Sequence, residues 1–207
     1  MTQENKIIRA ILKFVDEKGN IPGNVQLFEA MGKEVSKDEI TDFIKKEKEN
    51  KKYCNPKYDK LMEIRNKYKD KKIDAKDWKF SDFYDWFMSA EKCEYCGTTK
   101  EMLNTLFKSK DKISKTDDER KKHFKQEQKI KPLFSKKVSF TSALQIDRIT
   151  PDEKKNDGYY KGNCALICAF CNNAKSDMVK SGDEFKAFFG KAIGDYLKKK
   201  YNDIKPK

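Results

Sequence analysis

The sequence predicts an α+β protein that is mostly helical and contains one small core with two short strands. Apolar residues recur at helical spacing in several segments, whereas two short stretches have strand composition. Two Cys-x-x-Cys pairs lie before and after these strand-like stretches. With 207 residues, the chain is long enough for one moderate domain or two small ones.

Residues 1–53 are predicted to form a helical domain. In the first helix, within residues 4–17, apolar residues occur at helical spacing: Ile7, Ile8, Ile11, Leu12 and Val15. A second short helix, VQLFEAMG, ends at Gly32, and a third begins after Ser36, which has capping-box spacing with Glu39. Three such helices resemble a helix-turn-helix DNA reader of the small winged-helix repressor type. A structural three-helix bundle is the alternative, because the third helix opens with acidic residues that phosphates repel.

The remaining segments are predicted to be a helical connector, residues 54–79, and a second domain, residues 80–207. The second domain starts with an aromatic core helix, KFSDFYDWFMSA. A basic insert follows at residues 100–137, with 13 Lys and Arg against 6 acids, and its segment DDERKKHFKQEQKI is predicted to be helical. The last helix begins with Ser181 and Glu184 at capping-box spacing. Its apolar stripe is predicted to lie in the core: Phe185, Phe188, Phe189, Ala192, Ile193, Tyr196 and Leu197.

The charge of the chain indicates a polyanionic partner. Lys and Arg number 47 against 34 Asp and Glu, which gives a formal net charge of +13. Such a field attracts nucleic acid first and anionic surfaces second; a lysine-rich composition without such a partner is the alternative. No apolar run approaches the ~20 residues of a membrane span, and charges interrupt the apolar stretch at the amino terminus. We therefore expect a soluble cytoplasmic protein with no membrane partner.

Four cysteines have the spacing of a structural zinc site. They occur as CEYCG at residues 93–97 and CAFCN at residues 168–172. Two residues between cysteines let both thiolates reach one ion, and two such pairs complete a tetrahedral site. We therefore predict structural Zn²⁺ bound by four thiolates: Cys93, Cys96, Cys168 and Cys171. A redox role for one pair would not explain the second pair, and four thiolates leave no open position for catalysis.

The order of motifs in the second domain resembles a known family. The segments CEYCG, LQIDRI and GYYKGNCALICAFCNNAKSD are similar to those of the HNH, or ββα-metal, endonucleases, over about residues 80–197. They resemble the branch that has Asp-Arg in place of Asp-His. The resemblance implies a zinc-stapled ββα-metal core and a Mg²⁺- or Mn²⁺-dependent endonuclease for double-stranded DNA, of the restriction type. Two-fold symmetric cutting would require a homodimer.

The resemblance also assigns roles to residues by position. Asp147, at the end of the first strand, and Asn172, directly after Cys171, would bind the catalytic Mg²⁺ or Mn²⁺. Asn163 would pin the loop between the strands. Arg148 occupies the position where most of the family has the histidine that acts as general base, and it would instead clamp the phosphate.

The group that takes a proton from the attacking water has to be another residue. Arg148 cannot accept the proton, because the pKa of an arginine exceeds about 12. Tyrosines near the motif are candidates: Tyr159 in the loop between the strands, its neighbour Tyr160, and Tyr95 in the first cysteine pair. The single histidine, His123, is interpreted as a surface residue of the insert.

A different class of function remains as the alternative. A catalytically inactive HNH-like zinc protein, which binds nucleic acid or regulates a partner, would keep the cysteines and the basic surface. It would have no need of Asp147 and Asn172, whose presence therefore favours the endonuclease.

Overall fold

A computed structural model describes residues 2–32, 34–44, 46–48, 51–53, 55–106, 143–151, 158–176, 179 and 181–204. The predicted insert helix, the lone His123 and most of the basic insert lie outside these residues. In chain order, the helices and strands are α1 (Gln3–Lys18), α2 (Asn24–Ala30), α3 (Lys37–Ile44), β1 (Lys46–Lys48), β2 (Lys51–Tyr53), α4 (Pro56–Asp70), α5 (Phe80–Ser89), α6 (Lys100–Leu106), β3 (Gln145–Arg148), β4 (Cys164–Ile167), α7 (Ala169–Lys175), α8 (Gly182–Phe185), a π-helical turn (Lys186–Gly190) and α9 (Lys191–Ile204).

Helices dominate the described part of the chain, and its strands form two small antiparallel pairs, β1–β2 and β3–β4. The predicted class, α+β and mostly helical, is confirmed at this level. None of the described helices combines the length and the apolar character needed to cross a membrane.

Contacts divide the chain into two compact units. The first consists of Met1–Ser89 with Lys155–Lys161, and the second of Ala90–Lys154 with Gly162–Lys207. The aromatic helix α5 therefore falls in the first unit. The division into three segments, 1–53, 54–79 and 80–207, stays a prediction about domains.

Local capping signals define the first helices of the amino-terminal unit. The five predicted apolar positions of α1 are all buried, and α1 ends at Gly19, whose φ of 74° is left-handed. At the start of α3, the Ser36 hydroxyl accepts from the Glu39 backbone N–H, and the Glu39 carboxylate accepts from the Ser36 backbone N–H. The capping box predicted from these two residues is confirmed.

The order of elements after α3 bears on the helix-turn-helix interpretation. The strands β1 and β2 follow α3 directly and pair in antiparallel register, with Lys46 opposite Tyr53. The three helices are thus followed by a short hairpin. However, Asp38, Glu39 and Asp42 lie on the exposed face of α3, so the helix that would meet DNA carries repelling charge. DNA reading by this unit stays a prediction.

Aromatic rings form the centre of the packing between α4 and α5. Phe83 of α5 is fully buried, and its ring centroid lies 5.1 Å from that of Tyr68 and 5.0 Å from that of Trp78, both edge to face. The Tyr68 hydroxyl donates to the Trp78 carbonyl. The prediction of a core helix here is confirmed.

The second unit contains the two predicted strands and the helix that follows them, in the predicted order. In the antiparallel pair, Asp147 lies opposite Ala165 and Arg148 opposite Cys164. All four residues of β4 are buried, and α7 begins immediately after the N-cap residue Cys168. Of the predicted strand VSFTSALQIDRI, the structure describes residues 143–149, and among these Gln145–Arg148 form a strand.

The last helical segment departs from the predicted pattern. Phe185 and Leu197 are buried as predicted, but Phe188 and Phe189 are 73% and 52% exposed. The prediction that the whole stripe lies in the core is therefore wrong. The reason is the π-helical turn, which adds a residue to one turn and shifts the register of the buried face.

Glycines form much of the buried face of this last segment. A Cβ added at Gly190 would lie under 3.0 Å from the Tyr95 carbonyl oxygen, and one added at Gly194 would lie equally close to the Cys96 carbonyl oxygen. The backbone around the first cysteine pair therefore packs directly against the helix backbone. The spacing of apolar side chains in the sequence gives no indication of such contacts between backbones.

Candidate functional site

The four cysteines of the two Cys-x-x-Cys pairs come together in one cluster. Their sulfur atoms all lie within 4.8 Å of one another. The first pair lies in a turn at residues 93–97, and the second pair spans the start of α7. The sequence prediction of a four-cysteine metal site is confirmed as far as a cluster that could hold an ion such as zinc. The four residues are Cys93, Cys96, Cys168 and Cys171.

Hydrogen bonding within the cluster favours the thiolate form at Cys96 and disfavours it at Cys171, whose pKa is raised by its hydrogen bond with Cys168. The backbone N–H of Cys168 donates to the Cys93 sulfur at 3.2 Å, and the Thr98 hydroxyl lies 3.1 Å from the Cys96 sulfur. Hydrogen bonding with the Cys168 thiol lowers the pKa of Cys96 below that of an ordinary thiol. Because buried thiolates in close proximity repel one another, a divalent cation in their midst would compensate their charge.

Glu94 joins the first cysteine pair to the sheet. Its backbone N–H donates to the Leu166 carbonyl at 3.0 Å, and its carboxylate accepts from the Leu166 backbone N–H at 2.7 Å. The first pair is thereby attached to β4 as if it were a short additional strand. Sequence analysis assigned no role to Glu94, since nothing in the CEYC segment indicates its distant partner.

A polar face of β3 meets a polar face of α7. Gln145 and Asp147 are two residues apart on β3 and therefore point to the same side. Asn172 and Lys175 are three residues apart on α7 and share one helix face. The Asn172 amide N–H donates to Gln145 Oε1 at 2.6 Å, and Lys175 Nζ lies 3.0 Å from Asp147 Oδ2. The two predicted ligands of the catalytic metal, Asp147 and Asn172, thus lie on facing elements.

Asp147 and Asn172 each have one polar side-chain atom held by neighbouring residues and one side-chain oxygen that is available to a ligand. Asp147 Oδ2 accepts from the Tyr95 hydroxyl at 2.9 Å and pairs with Lys175, and the Asp147 side chain is 14% exposed. Asn172 donates through Nδ2 to Gln145. Within the part of the chain that the structure describes, Asp147 Oδ1 and Asn172 Oδ1 have no hydrogen-bond partner.

The residues after β3 are held by Asn163. Its side-chain oxygen accepts from the Thr150 backbone N–H at 2.8 Å, and its amide group donates to the Thr150 carbonyl at 3.0 Å. These are the bonds expected of a residue that pins the loop. Arg148 donates from Nη1 to the Pro151 carbonyl at 3.1 Å, so its guanidinium lies beside the pinned loop. A catalytic role for either residue stays a prediction.

The tyrosines proposed as bases lie in different surroundings. Tyr95 is buried and donates to Asp147, and burial together with the Asp147 carboxylate raises its pKa well above the ordinary value. Tyr95 is therefore a hydrogen-bond donor at neutral pH and not a proton acceptor. Tyr159 falls in the first unit, where its hydroxyl accepts from Lys71 Nζ at 3.0 Å. Its assignment as the base stays a prediction.

Lys175 contacts the candidate site, and sequence analysis assigned it no role. Its side chain is 1% exposed and donates from Nζ to the Arg148 carbonyl at 2.8 Å, besides its contact with Asp147. The signal was present in the sequence, because Lys175 follows Asn172 at helical spacing. From the sequence alone, however, a lysine at the end of a short helix is expected to be exposed to solvent.

No protein-family model, curated protein or solved structure matches the chain. The arguments for function therefore come from the residues of this chain and from their arrangement.

Proposed function

We propose that the chain is a metal-dependent endonuclease of the HNH type that hydrolyses phosphodiester bonds in double-stranded DNA. Zn²⁺ is the structural ion of the four-cysteine cluster, and Mg²⁺ or Mn²⁺ is the catalytic ion. The observation that carries the proposal is the pair of oxygens, Asp147 Oδ1 and Asn172 Oδ1, left without partners among the described residues. Sequence-specific, restriction-type cutting by a homodimer belongs to the same proposal.

The donor set fits a hard divalent cation. Mg²⁺ and Mn²⁺ prefer oxygen ligands and keep open positions for water and phosphate. One carboxylate oxygen of Asp147 and one amide oxygen of Asn172 supply such ligands, and their remaining atoms are fixed by Lys175 and Gln145. An ion held there would neutralise charge on the phosphate during hydrolysis.

The neighbouring residues supply binding and orientation. The guanidinium of Arg148 offers a planar set of N–H donors that matches a phosphate. Asn163 fixes the backbone of Thr150, two residues beyond Arg148, and so limits the movement of the strand end. The net charge of +13 favours association of the whole chain with DNA.

Plasmid cleavage tests the proposal. Zinc-loaded protein should nick or linearise supercoiled plasmid with Mg²⁺ or Mn²⁺, and Asp147→Ala should cut at least about 100-fold more slowly. The matched control is Asp195→Ala, which removes an exposed aspartate of the same unit. Zinc content is measured after every chelator treatment, so that loss of the structural ion is separated from loss of the catalytic ion. Equal cleavage by wild type and Asp147→Ala would contradict the assignment.

A catalytically inactive HNH-like zinc protein is the second candidate. Two features favour it: the Asp147 carboxylate already pairs with the buried ammonium of Lys175, and Arg148 stands where most of the family has its base. Such a protein would bind nucleic acid or regulate a partner. Salt-dependent DNA binding without cleavage under any metal condition would select this candidate.

A further inference from the structure

Lys175 is a buried cation with a defined set of partners. Lysines are almost never fully buried unless they are paired, and burying an unpaired ammonium is costly. Lys175, at the end of α7, meets two acceptors at the end of β3: the Asp147 carboxylate at 3.0 Å and the Arg148 carbonyl at 2.8 Å. The ammonium therefore ties helix and strand together at the residue proposed to bind metal.

Tyr95 approaches the same carboxylate oxygen from the first cysteine pair. Its hydroxyl donates to Asp147 Oδ2 at 2.9 Å. Its ring lies 5.6 Å from that of Phe185, and a Cβ added at Gly182 would lie under 3.0 Å from the hydroxyl. The tyrosine has little room to move, so its hydrogen bond has a fixed direction.

Both donors end on one oxygen of the carboxylate. Because Oδ2 of Asp147 receives Lys175 and Tyr95, rotation of the carboxylate is restricted and Oδ1 is the oxygen presented to a ligand. A divalent ion bound at Oδ1 would also lie near the Lys175 ammonium. The ammonium would thus orient the ligand and at the same time repel the ion.

We propose that Lys175 and Tyr95 are positioning residues that hold Asp147 in one orientation, and that the charge of Lys175 keeps cation affinity at this site low. The part that concerns cleavage rests on the proposed endonuclease function, whereas the part that concerns cation affinity does not. In either case the two donors hold the Asp147 carboxylate in one orientation before a cation arrives.

Removing the charge should have opposite effects on affinity and rate. Coulombic repulsion over a few ångströms in a partly buried site is substantial, so Lys175→Met should bind Mn²⁺ about tenfold more tightly or better. Freed from its tether, Asp147 should rotate, and misplacement of a reacting group by about 1 Å costs about 100-fold in rate. A lysine with a purely structural role would weaken both properties together.

The experiment measures Mn²⁺ affinity and single-turnover cleavage on zinc-loaded full-length protein. Asp147→Ala identifies the part of Mn²⁺ binding that belongs to this site. The matched control is Lys191→Met, which breaks an exposed Lys–Asp pair with a 2.8 Å separation and should leave affinity and rate unchanged. Tyr95→Phe removes a donor but no charge, so its Mn²⁺ affinity should stay within about twofold while cleavage slows about tenfold. Its control is Tyr201→Phe, which removes a hydroxyl that donates to the Glu101 carboxylate at 3.3 Å on the surface of the same unit.

Unchanged or weaker Mn²⁺ binding by folded Lys175→Met would overturn the inference. If that variant does not fold, Lys175→Gln replaces it, since it keeps an N–H donor for the Arg148 carbonyl but no charge, and the same increase in affinity is expected. Tighter Mn²⁺ binding by the lysine variant with no cleavage by any protein, wild type included, would support the charge effect and contradict the endonuclease function alone. Cleavage by wild type with no change of affinity or rate in the variants would contradict this inference alone.

Discussion

The two units of the chain reach a stable interior by different means. In the first unit the centre is a group of aromatic rings around Phe83, with Tyr68 and Trp78 in edge-to-face contact. In the second unit the most deeply buried residues include three of the four cysteines of the metal cluster. The first interior is closed by apolar side chains, and the second interior includes four cysteines that could bind a metal ion.

This difference predicts different dependences on metal. Apolar burial contributes about 1.5–3 kcal/mol for each large side chain and needs no ligand. A structural zinc site contributes about 10–16 kcal/mol of apparent binding free energy, which is available for folding only when the ion is present. The second unit should therefore lose its structure under conditions that leave the first unit intact.

The largest expected effect follows removal of one zinc ligand. Cys171→Ser should abolish tight zinc binding and unfold the second unit, because three thiolates hold the ion poorly and the buried ligands are then uncompensated. The measurement is hydrogen exchange resolved by segment, together with zinc content. Amides of β4 and α7 should lose protection, while those of α1 and α5 keep it.

Cys164→Ser is the matched control, since Cys164 is a buried cysteine of β4 outside the cluster. It should retain one zinc per chain and the protection of β4. Full protection of α7 in Cys171→Ser would show that apolar packing alone holds the second unit, and the comparison between the two units would fail.

The reverse experiment disrupts the first unit. Phe83→Ala removes a fully buried ring and should destabilise the first unit by about 3–5 kcal/mol, with zinc content unchanged. Phe188→Ala removes a ring of the same size that is 73% exposed, and it should change stability by no more than about 0.5 kcal/mol. Loss of zinc from Phe83→Ala would show that the two interiors do not fold separately.

Sequence reasoning located the elements whose signals are local. Helix α1 has its apolar residues at helical spacing, and α3 begins with the capping box of Ser36 and Glu39. Both signals lie within one turn or one helix face, so they can be recognised in the sequence without knowledge of the fold. The exposure of Phe188 and Phe189 cannot be predicted from the sequence, because a π-helical turn shifts the buried face of a helix whose apolar residues otherwise follow regular helical spacing.

In the candidate site, too, the features with local sequence signals could be predicted and those that depend on distant contacts could not. The cysteine pairs are local units, and their meeting in one cluster was predicted from their spacing. Asp147 and Asn172 were placed by resemblance to a family. The partners that orient them were not predicted: Lys175 and Gln145 act through contacts about 27 residues apart in sequence, and Glu94 bonds with a strand 72 residues away. Tertiary contacts of this kind leave no periodic trace in the sequence.

A smaller effect tests how the last helix contacts the first cysteine pair. By helix propensity alone, Gly194→Ala should stabilise the protein by about 1 kcal/mol. A Cβ at this position would meet the Cys96 carbonyl oxygen at less than 3.0 Å, so we expect destabilisation of about 1–3 kcal/mol instead, with faster loss of zinc to a chelator. Thermal denaturation of zinc-loaded protein shows whether Gly194→Ala raises or lowers the stability. Gly23→Ala in the first unit is the control, because its nearest atom is 3.8 Å from the added Cβ and zinc retention should not change.

The smallest expected effect comes from removing one charge on the surface of the first unit. The Glu39 carboxylate accepts hydrogen bonds from the Ser36 backbone N–H at 2.8 Å and from the Ser36 hydroxyl at 2.9 Å. The bond from the Ser36 backbone holds the pKa of Glu39 below the ordinary value of a glutamate. A carboxylate whose pKa is lowered on folding adds stability above its unfolded pKa of about 4.3 and loses that contribution as the pH falls.

Glu39→Gln keeps the amide oxygen as an acceptor for Ser36 and removes only the charge. The variant should therefore melt below wild type near pH 7, and the difference should shrink as the pH falls below about 4, where wild-type Glu39 becomes protonated as well. Glu29→Gln removes the same charge from an exposed residue of α2 that takes no part in a capping box, and its melting difference from wild type should not change with pH in this way. Zinc content should be the same in all three proteins at neutral pH, since the charge belongs to the unit whose interior needs no ion. A melting difference for Glu39→Gln that persists unchanged at pH 3 would mean that the carboxylate charge is not the source of the stabilisation at Ser36.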